Sequence, residues 1–217
     1  MAADSLADRR RERQMHEVFG FGAYVLRDQV IARAAAASRS YLGGLYPPAA
    51  PGIIRWMESV SSSRLALAPF GYEPDDSDLV SKVVNWTRRI AIVPAAGNAF
   101  TGVTFGQCGR YPTTKWPKGE RTAEAVKRNA QFALFDVPGR PAADRPVATW
   151  MLLHHAAPGE VRAELALPGT MNARGYITSW QQRFILPALG NEDGPIDVPF
   201  DENGDGDEGI DIPVEPR

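Results

Sequence analysis

The stretch VATWMLLHHAAPGEVRAELALPGTMNARGYITSWQQRFILP, residues 147–187, decides the fold class of this chain. It begins with an apolar run over 147–156. The Ala-Pro-Gly turn at 157–159 follows, in which proline fixes one φ angle and glycine accepts a positive one. Apolar and charged residues then alternate as far as Leu167, which is typical of a strand with one face in water. A second turn at 172–175 precedes an aromatic-rich segment, so the stretch predicts an antiparallel meander of three strands.

Helical patterns fill the N-terminal third of the chain. Apolar residues keep three-to-four spacing over 15–34, which predicts an amphipathic helix with a bend at its two central glycines, 20 and 22. A second helix is predicted over 51–65, where a proline begins it, and a third over 75–86, where an aspartate caps it. Between these helices and the meander, short strands are predicted at 90–93, 103–105 and 132–137, and a short helix at 120–129.

These segments together predict an α+β fold. Residues 1–190 are expected to form one globular domain, mainly helical over 1–88 and mainly strand over 89–190, with the helical part packed on a mainly antiparallel sheet. Residues 191–217 are expected to form a flexible acidic tail. A chain of 217 residues can bury a sizeable core without disulfides or metals, and its 44% hydrophobic and 23% charged residues are typical of globular proteins.

Hydropathy and cysteine content limit the cellular setting. Proline and glycine interrupt each apolar segment well before the roughly 18 consecutive apolar residues of a spanning helix, so no membrane partner is expected. The basic cluster at 9–11 is followed by polar residues where a signal peptide needs an apolar stretch. The single cysteine, Cys108, cannot close an intrachain disulfide, which fits a reducing cytoplasm. We therefore expect a cytoplasmic protein.

The net charge of −2 conceals an uneven distribution. Residues 191–217 carry ten acidic groups against Arg217 alone, a charge of −9, whereas residues 1–190 hold 23 basic and 16 acidic groups, a charge of +7. A basic body with an acidic tail is a recognised pattern in proteins that bind polyanions. The tail also holds part of an EF-hand pattern, but Ile212 stands where a bidentate glutamate is needed, so any calcium affinity is expected to be weak.

The segment 106–128 carries the clearest functional signal. It combines six cations with two acids, Glu120 and Glu124, and places aromatic residues between the cations. Cations displace counterions from phosphates and flat rings stack on unpaired bases, so this mixture is typical of nucleic-acid-binding grooves. The alternative is that the rings pin a long loop to the core while the cations are simply solvated. The residues predicted to contact nucleic acid are Arg110, Tyr111, Lys115, Trp116, Lys118, Arg121, Lys127 and Arg128.

A second set of candidates consists of acids on or beside predicted strands, namely Asp136, Glu160 and Glu164. A metal-dependent nuclease holds Mg²⁺ with carboxylates in such positions, and the even spacing of Glu160 and Glu164 puts both on one face of a strand. Two acids on the wet face of an amphipathic strand are also common without any function. Mg²⁺ is therefore expected only if the protein is a nuclease, and no other metal or cofactor is expected.

Two further groups of residues carry a weaker signal. Cys108 with His154 or His155 is the one thiol–imidazole combination that the sequence allows. Neighbouring residues of a strand point to opposite faces, so at most one histidine can meet the thiol, and a zinc site is disfavoured for the same reason. Even spacing places three aromatic residues of the last strand on one face, either as core or as a stacking surface: Tyr176, Trp180 and Phe184.

The sequence thus favours an α+β cytoplasmic protein that binds DNA or RNA, or a nucleoprotein assembly, through the basic and aromatic loop. A metal-dependent hydrolase of the nuclease type is the first alternative, and a non-catalytic interaction subunit of a larger protein complex is the second. Binding is favoured over catalysis because neither the thiol–imidazole pair nor the acids form a complete motif. The expected partner is nucleic acid or another polyanion.

Overall fold

The computed structural model describes residues 6–41, 43–134 and 146–190. Its first half is mainly helical. Helix α1 covers Leu6–Phe19, a π-helical segment over Val25–Ile31 continues directly into α2 at Ala32–Arg39, and α3 covers Ala50–Leu67. Two more helices lie in the long crossover between two strands, α4 at Phe105–Cys108 and α5 at Glu120–Leu134.

The described strands form one mixed sheet of seven. They are β1 at Glu73–Asp75, β2 at Lys82–Asn85, β3 at Ile90–Ala96, β4 at Ala148–Ala157, β5 at Glu160–Met171, β6 at Ile177–Ile185 and β7 at Leu189–Gly190. Their spatial order follows chain order from β1 to β6, and β7 pairs with β5. The β3–β4 pair is parallel and the other described pairs are antiparallel. The predicted α+β fold is confirmed, and so is the C-terminal meander, which is β4–β5–β6.

Helices cover both faces of the sheet, which explains why β4 is apolar throughout. Trp150 and Leu152 point toward the N-terminal helices and join the main core there. Met151 and Leu153 point to the opposite side, where Val126 of α5 helps to form a smaller core. A strand that is buried on both faces has a continuous apolar run instead of an alternating pattern. We call the two sides of the sheet the N-terminal face and the α5 face.

The bend predicted inside the first helix is a complete break. Gly20 has a φ angle of +85°, a conformation that glycine adopts without strain. Gly22 packs so closely against Glu12 that a Cβ atom there would lie 1.7 Å from the carboxylate oxygen Oε1. The Glu12 carboxylate also accepts a hydrogen bond of 2.9 Å from the backbone N–H of Ala23. These contacts end α1 and redirect the chain into the π-helical segment.

The prediction of a third helix over 75–86 is wrong. The segment contains the end of β1, a single 3-10 turn at Ser77–Leu79, and β2. Val83 and Val84 are both buried, and β-branched residues at such positions favour a strand. The Asp75 carboxylate accepts a hydrogen bond of 2.7 Å from the Ser77 N–H, so this aspartate serves a turn, for which it is as well suited as for a helix cap.

Two of the predicted short strands are also wrong. Residues 103–105 lead into α4, because Thr104 and Gln107 form a reciprocal capping box that starts a helix. Residues 132–134 belong to α5, which continues past 129 because neither glycine nor proline interrupts it, and the rest of the predicted strand at 135–137 lies outside the described residues. The strand predicted at 90–93 is confirmed as part of β3.

The aromatic residues of β6 do not share one face, contrary to the prediction from their spacing. Leu167 pairs with Gln182, whereas Pro168 pairs with Trp180, so one extra residue of β6 interrupts the alternation. Trp180 therefore packs on the smaller core of the α5 face, and Phe184 is buried in the main core on the N-terminal face. Neither ring belongs to a shared stacking surface.

Two regions of interest lie beyond the described residues. They are Asp136 and the acidic tail over 191–217, with its partial calcium pattern. Within the described residues, no helix combines the length and the apolar character that crossing a bilayer requires.

Candidate nucleic-acid interface

The first part of the β3–β4 crossover, residues 97–119, lies along the end of β3 and across the α5 face, and we call it the crossover loop. Its backbone is anchored near its C-terminal end by two hydrogen bonds. The Lys115 N–H donates to the Ala96 carbonyl over 2.9 Å, and the Lys118 N–H donates to the Gly175 carbonyl over 2.8 Å. Between these anchors and α4, the indole N–H of Trp180 donates to the Pro112 carbonyl over 2.8 Å. The loop is therefore held in one conformation by the sheet beneath it.

A buried ion pair fastens the other half of the crossover loop. Glu164 on β5 has no exposed surface, and Arg183 on β6 reaches it diagonally, with Nε 3.1 Å from Oε1. The backbone N–H of Gly102 donates to the same carboxylate over 3.1 Å. Arg183 in turn donates to the Val103 carbonyl over 3.0 Å. Both ions thus use their remaining hydrogen-bonding capacity on the loop, which is the condition for a buried pair to be tolerated.

The two acids on β5 that were candidate metal ligands, Glu160 and Glu164, form ion pairs with arginines in this structure. Glu160 and Glu164 lie on one face of β5, as predicted, but each carboxylate has an arginine partner. Glu160 pairs with Arg162 over 3.3 Å, and Glu164 pairs with Arg183. Within the described residues, no three histidine, cysteine, aspartate or glutamate side chains come close enough together to hold a metal ion.

The aromatic side chains of the crossover loop are displayed to solvent. Tyr111 is 53% exposed and Trp116 is 61% exposed, so neither ring is buried in the core, although the Arg183 guanidinium lies 5.8 Å from the Tyr111 ring centroid. Tyr111 lies against Phe105 with a centroid distance of 4.8 Å, and the Lys115 ammonium group lies 5.7 Å from the Trp116 ring centroid. Trp180, Arg183 and the loop's own backbone anchor it by hydrogen bonds, and Tyr111 adds its contact with Arg183.

Three cations from separate elements meet around one open depression of about 480 Å³. Lys118 comes from the crossover loop, Lys127 from α5, and Arg174 from the turn between β5 and β6. Glu120 is the acid in its lining. Gly175, with a φ angle of +84°, lets this turn approach closely, because a Cβ atom there would lie 2.6 Å from the Lys118 carbonyl oxygen. The depression therefore has an excess of positive charge.

The other predicted contact residues are more widely spread. Arg121 is turned toward two acids, Glu124 at 3.3 Å and Asp78 at 3.8 Å. Arg110 lies in the middle of the crossover loop, 5.5 Å from the centroid of the Phe100 ring, and Arg128 is exposed on α5. Lys118 and Lys127 are thus the predicted cations that the structure brings together at the depression.

Burial changes the acid–base properties of the lysines in the crossover loop. Desolvation lowers the pKa of Lys118 from its ordinary value. Desolvation and the nearby charge of Arg55 lower the pKa of Lys115 in the same direction. A partly buried ammonium group has already lost part of its hydration. An anion that contacts it therefore displaces less bound water than it would from an exposed lysine.

The thiol–imidazole pair is not assembled. The Cys108 thiol contacts the carbonyls of Thr104 and Arg110 at 3.5 and 3.2 Å. Within the described residues, no hydrogen bond joins the Cys108 thiol to His154 or His155. His154 is 2% exposed and lies in the strand row that faces the N-terminal helices, whereas His155 is partly exposed.

The comparisons with protein-family models, curated proteins and solved structures find no match for this chain.

Proposed function

We propose that this protein binds single-stranded nucleic acid along the depression and on the exposed ring of Trp116. The observation that carries this proposal is the convergence of Lys118, Lys127 and Arg174, from three separate elements, around one open depression. Cations that are clustered in this way can each displace a counterion from a phosphate backbone. Scattered surface lysines would not define a path for a strand.

The position of Trp116 supports an unpaired rather than a duplex ligand. The ring is 61% exposed and stands two residues before Lys118, so it lies close in sequence to the cationic depression. A base of a single strand can stack on such a ring, whereas the bases of a duplex already stack on each other. Tyr111 offers a second exposed ring farther along the crossover loop.

Substituting both Lys127 and Arg174 with alanine is expected to weaken binding and to reduce its salt dependence. Each lost phosphate contact lowers the slope of log affinity against log salt by about 0.7 for a single strand, so two lost contacts lower it by about 1.4. Fluorescence anisotropy with a labelled single-stranded oligonucleotide, measured between about 50 and 200 mM salt, gives both quantities.

The matched control is Arg33→Ala, which removes one exposed cation from α2 on the N-terminal face. It is expected to leave the salt slope unchanged apart from a small general effect of net charge. An equal change of slope in the control and in the double variant would mean that the depression is not the binding site.

A further inference from the structure

Helix α3 exposes large apolar side chains and buries small polar ones. The side chains that the middle of the helix buries completely are three serines: Ser59, Ser62 and Ser63. In its first two turns, three large apolar side chains are 42–53% exposed: Ile53, Trp56 and Met57. A surface helix normally turns its apolar stripe toward the core and its polar residues toward water. The packing of this domain therefore does not explain the exposed stripe of α3.

Small residues are sufficient for the inner side of α3 because the helix itself satisfies their hydroxyl groups. The Ser59 hydroxyl donates to the Trp56 carbonyl over 2.7 Å, and the Ser63 hydroxyl donates to the Ser59 carbonyl over 2.6 Å. Helix α3 packs against α2, whose buried residues are equally small: Ala34, Ala35 and Ser38. The two helices therefore pack through small residues, and the large apolar side chains of α3 remain on its outer side.

The exposed stripe continues into the connection between α2 and α3. Leu45 is 95% exposed and Tyr46 is 46% exposed, shortly before the helix begins. Residues 40–54 contain no charged side chain, and the next cation, Arg55, is turned inward, where its Nη2 donates to the Ser38 hydroxyl over 3.1 Å. We define the α3 patch as the five exposed apolar residues of this region: Leu45, Tyr46, Ile53, Trp56 and Met57.

The area of the α3 patch approaches that of a small protein–protein interface. Large side chains present about 150–250 Å² each, so the five residues, which are 42–95% exposed, together offer on the order of 500 Å². Exposed apolar residues that occur singly are common, but a patch of this size usually marks an interaction site. Exposed small residues between them bring the surface closer to the roughly 800 Å² per partner of a standard interface: Pro47, Pro48 and Ala49.

We propose that the α3 patch binds the α3 patch of a second copy of this chain, in a dimer with two-fold symmetry. A two-fold contact requires a surface that is complementary to itself, and an uncharged apolar surface meets this condition. Tryptophan, tyrosine and methionine are enriched in interface cores, where charged residues are depleted. Nucleic acid and the acidic residues of 191–217 are attracted by cations, and none of the five patch residues is a cation.

The dimer does not depend on the proposed function. Helix α3 packs on the N-terminal face, whereas the depression opens on the α5 face, beside α5 and the turn that follows β5. Dimerisation through the α3 patch therefore leaves the depression of each copy open. Association of the chain with itself can be measured without nucleic acid, so the two proposals fail separately.

Sedimentation equilibrium of the full chain between about 1 and 200 µM tests the dimer, because modest interfaces have dissociation constants in the micromolar range. We expect the wild type to be dimeric at the upper end of this range. Trp56→Ala is expected to raise the dissociation constant about 30-fold or more, as the loss of an aromatic residue at the centre of an interface typically does.

The matched control is Trp86→Ala, which removes a ring that is 51% exposed in the turn between β2 and β3, outside the α3 patch. It is expected to keep the dissociation constant of the wild type. A wild type that is monomeric over the whole range would overturn the dimer. A dissociation constant that both tryptophan variants change equally, or that neither changes, would overturn the assignment to the α3 patch.

Ile53→Glu distinguishes a second copy from a segment of the same chain as the occupant of the patch. It places a carboxylate of each copy in the contact, so we expect a monomer over the whole concentration range. Ile53 is 53% exposed in the single chain, so the thermal midpoint at low concentration is expected to equal that of the wild type. A monomeric wild type whose midpoint falls on this substitution would overturn the dimer and indicate that another segment of the chain covers the patch.

A measurement on the unsubstituted chain covers the case in which a variant fails to fold. With 5-fluorotryptophan incorporated, the ¹⁹F resonance of Trp56 is expected to shift as the protein concentration rises through the dissociation constant. The resonance of Trp86 is expected to stay in place, and conservative phenylalanine variants at the two positions assign both signals. A Trp56 resonance that is independent of concentration, or that moves together with that of Trp86, would contradict a dimer through the α3 patch.

Discussion

Replacing Glu164 with glutamine is expected to lower the free energy of unfolding by about 3 kcal/mol, because it leaves the buried guanidinium of Arg183 without its counter-ion. Glu164 is fully buried and Arg183 nearly so, with a side chain that is 11% exposed, so solvent cannot replace the lost charge. The same substitution weakens the bond from the Gly102 N–H, which holds the crossover loop. We therefore expect the loop to become more accessible to proteolysis as well.

Urea denaturation measures this effect in the wild type and in Glu164→Gln. Glu160→Gln serves as the matched control. Glu160 lies on the same strand and the same face, but its side chain is 42% exposed in the ion pair with Arg162. Exposed pairs contribute about 0–1 kcal/mol, so the control is expected to be nearly neutral. If Glu164→Gln were equally neutral, the buried pair would not hold the loop, and Glu164 would return as a candidate metal ligand for the nuclease hypothesis.

The second large effect concerns the stability of the protein in acid. A histidine has an ordinary pKa of about 6.5, and burial lowers the pKa of His154 to about 3 in the folded chain. Between these two values the unfolded chain binds a proton that the folded chain does not. The free energy of unfolding therefore falls as the pH falls through this window, by up to about 1.4 kcal/mol per pH unit.

His154→Leu is expected to remove this dependence. The variant should exceed the wild type in free energy of unfolding by about 1 kcal/mol at neutral pH, because it removes a buried imidazole whose nitrogens have no hydrogen-bond partner among the described residues. Its advantage should grow by roughly 3 kcal/mol as the pH is lowered to about 4. Urea denaturation of both proteins across this pH range checks the prediction. A difference that stays constant with pH would mean that His154 titrates alike in the folded and unfolded chains.

Local sequence patterns were sufficient to predict the C-terminal meander and the interruption of the first helix. The meander was predictable because turn residues separate three runs of strand-forming residues, and the break at Gly20 because glycine is a poor helix residue. The structure of the segment over 75–86 was not predictable in this way, because an aspartate suits a turn and a helix cap equally. The two adjacent β-branched residues, Val83 and Val84, were the feature of this segment that indicated a strand. Residues 132–134 were ambiguous because a short apolar run fits either element.

The candidate interface was predictable in composition but not in arrangement. The segment 106–128 supplies exposed rings, Tyr111 and Trp116, and two of the cations at the depression, Lys118 and Lys127, whereas its contact with nucleic acid stays a prediction. Arg174 was missed because it joins Lys118 only through tertiary structure, from a position more than 50 residues away along the chain. Glu164 was assigned to a wet face because its strand alternates. The long crossover between parallel strands covers that face, and a parallel pair cannot be recognised from strand patterns alone.

The affinity of Trp116→Ala for a single strand is the measurement that tests the proposed function most directly. The ring is mostly exposed, so its loss should leave the thermal midpoint nearly unchanged, whereas a lost stacking contact costs about 1–3 kcal/mol of binding free energy, or about 5- to 150-fold in affinity. At low salt we expect the wild type to bind a labelled single strand more tightly than a duplex of the same length, and the variant to lose that preference. A wild type that binds neither ligand at low salt, or a variant that binds the single strand as tightly as the wild type does, would contradict the account.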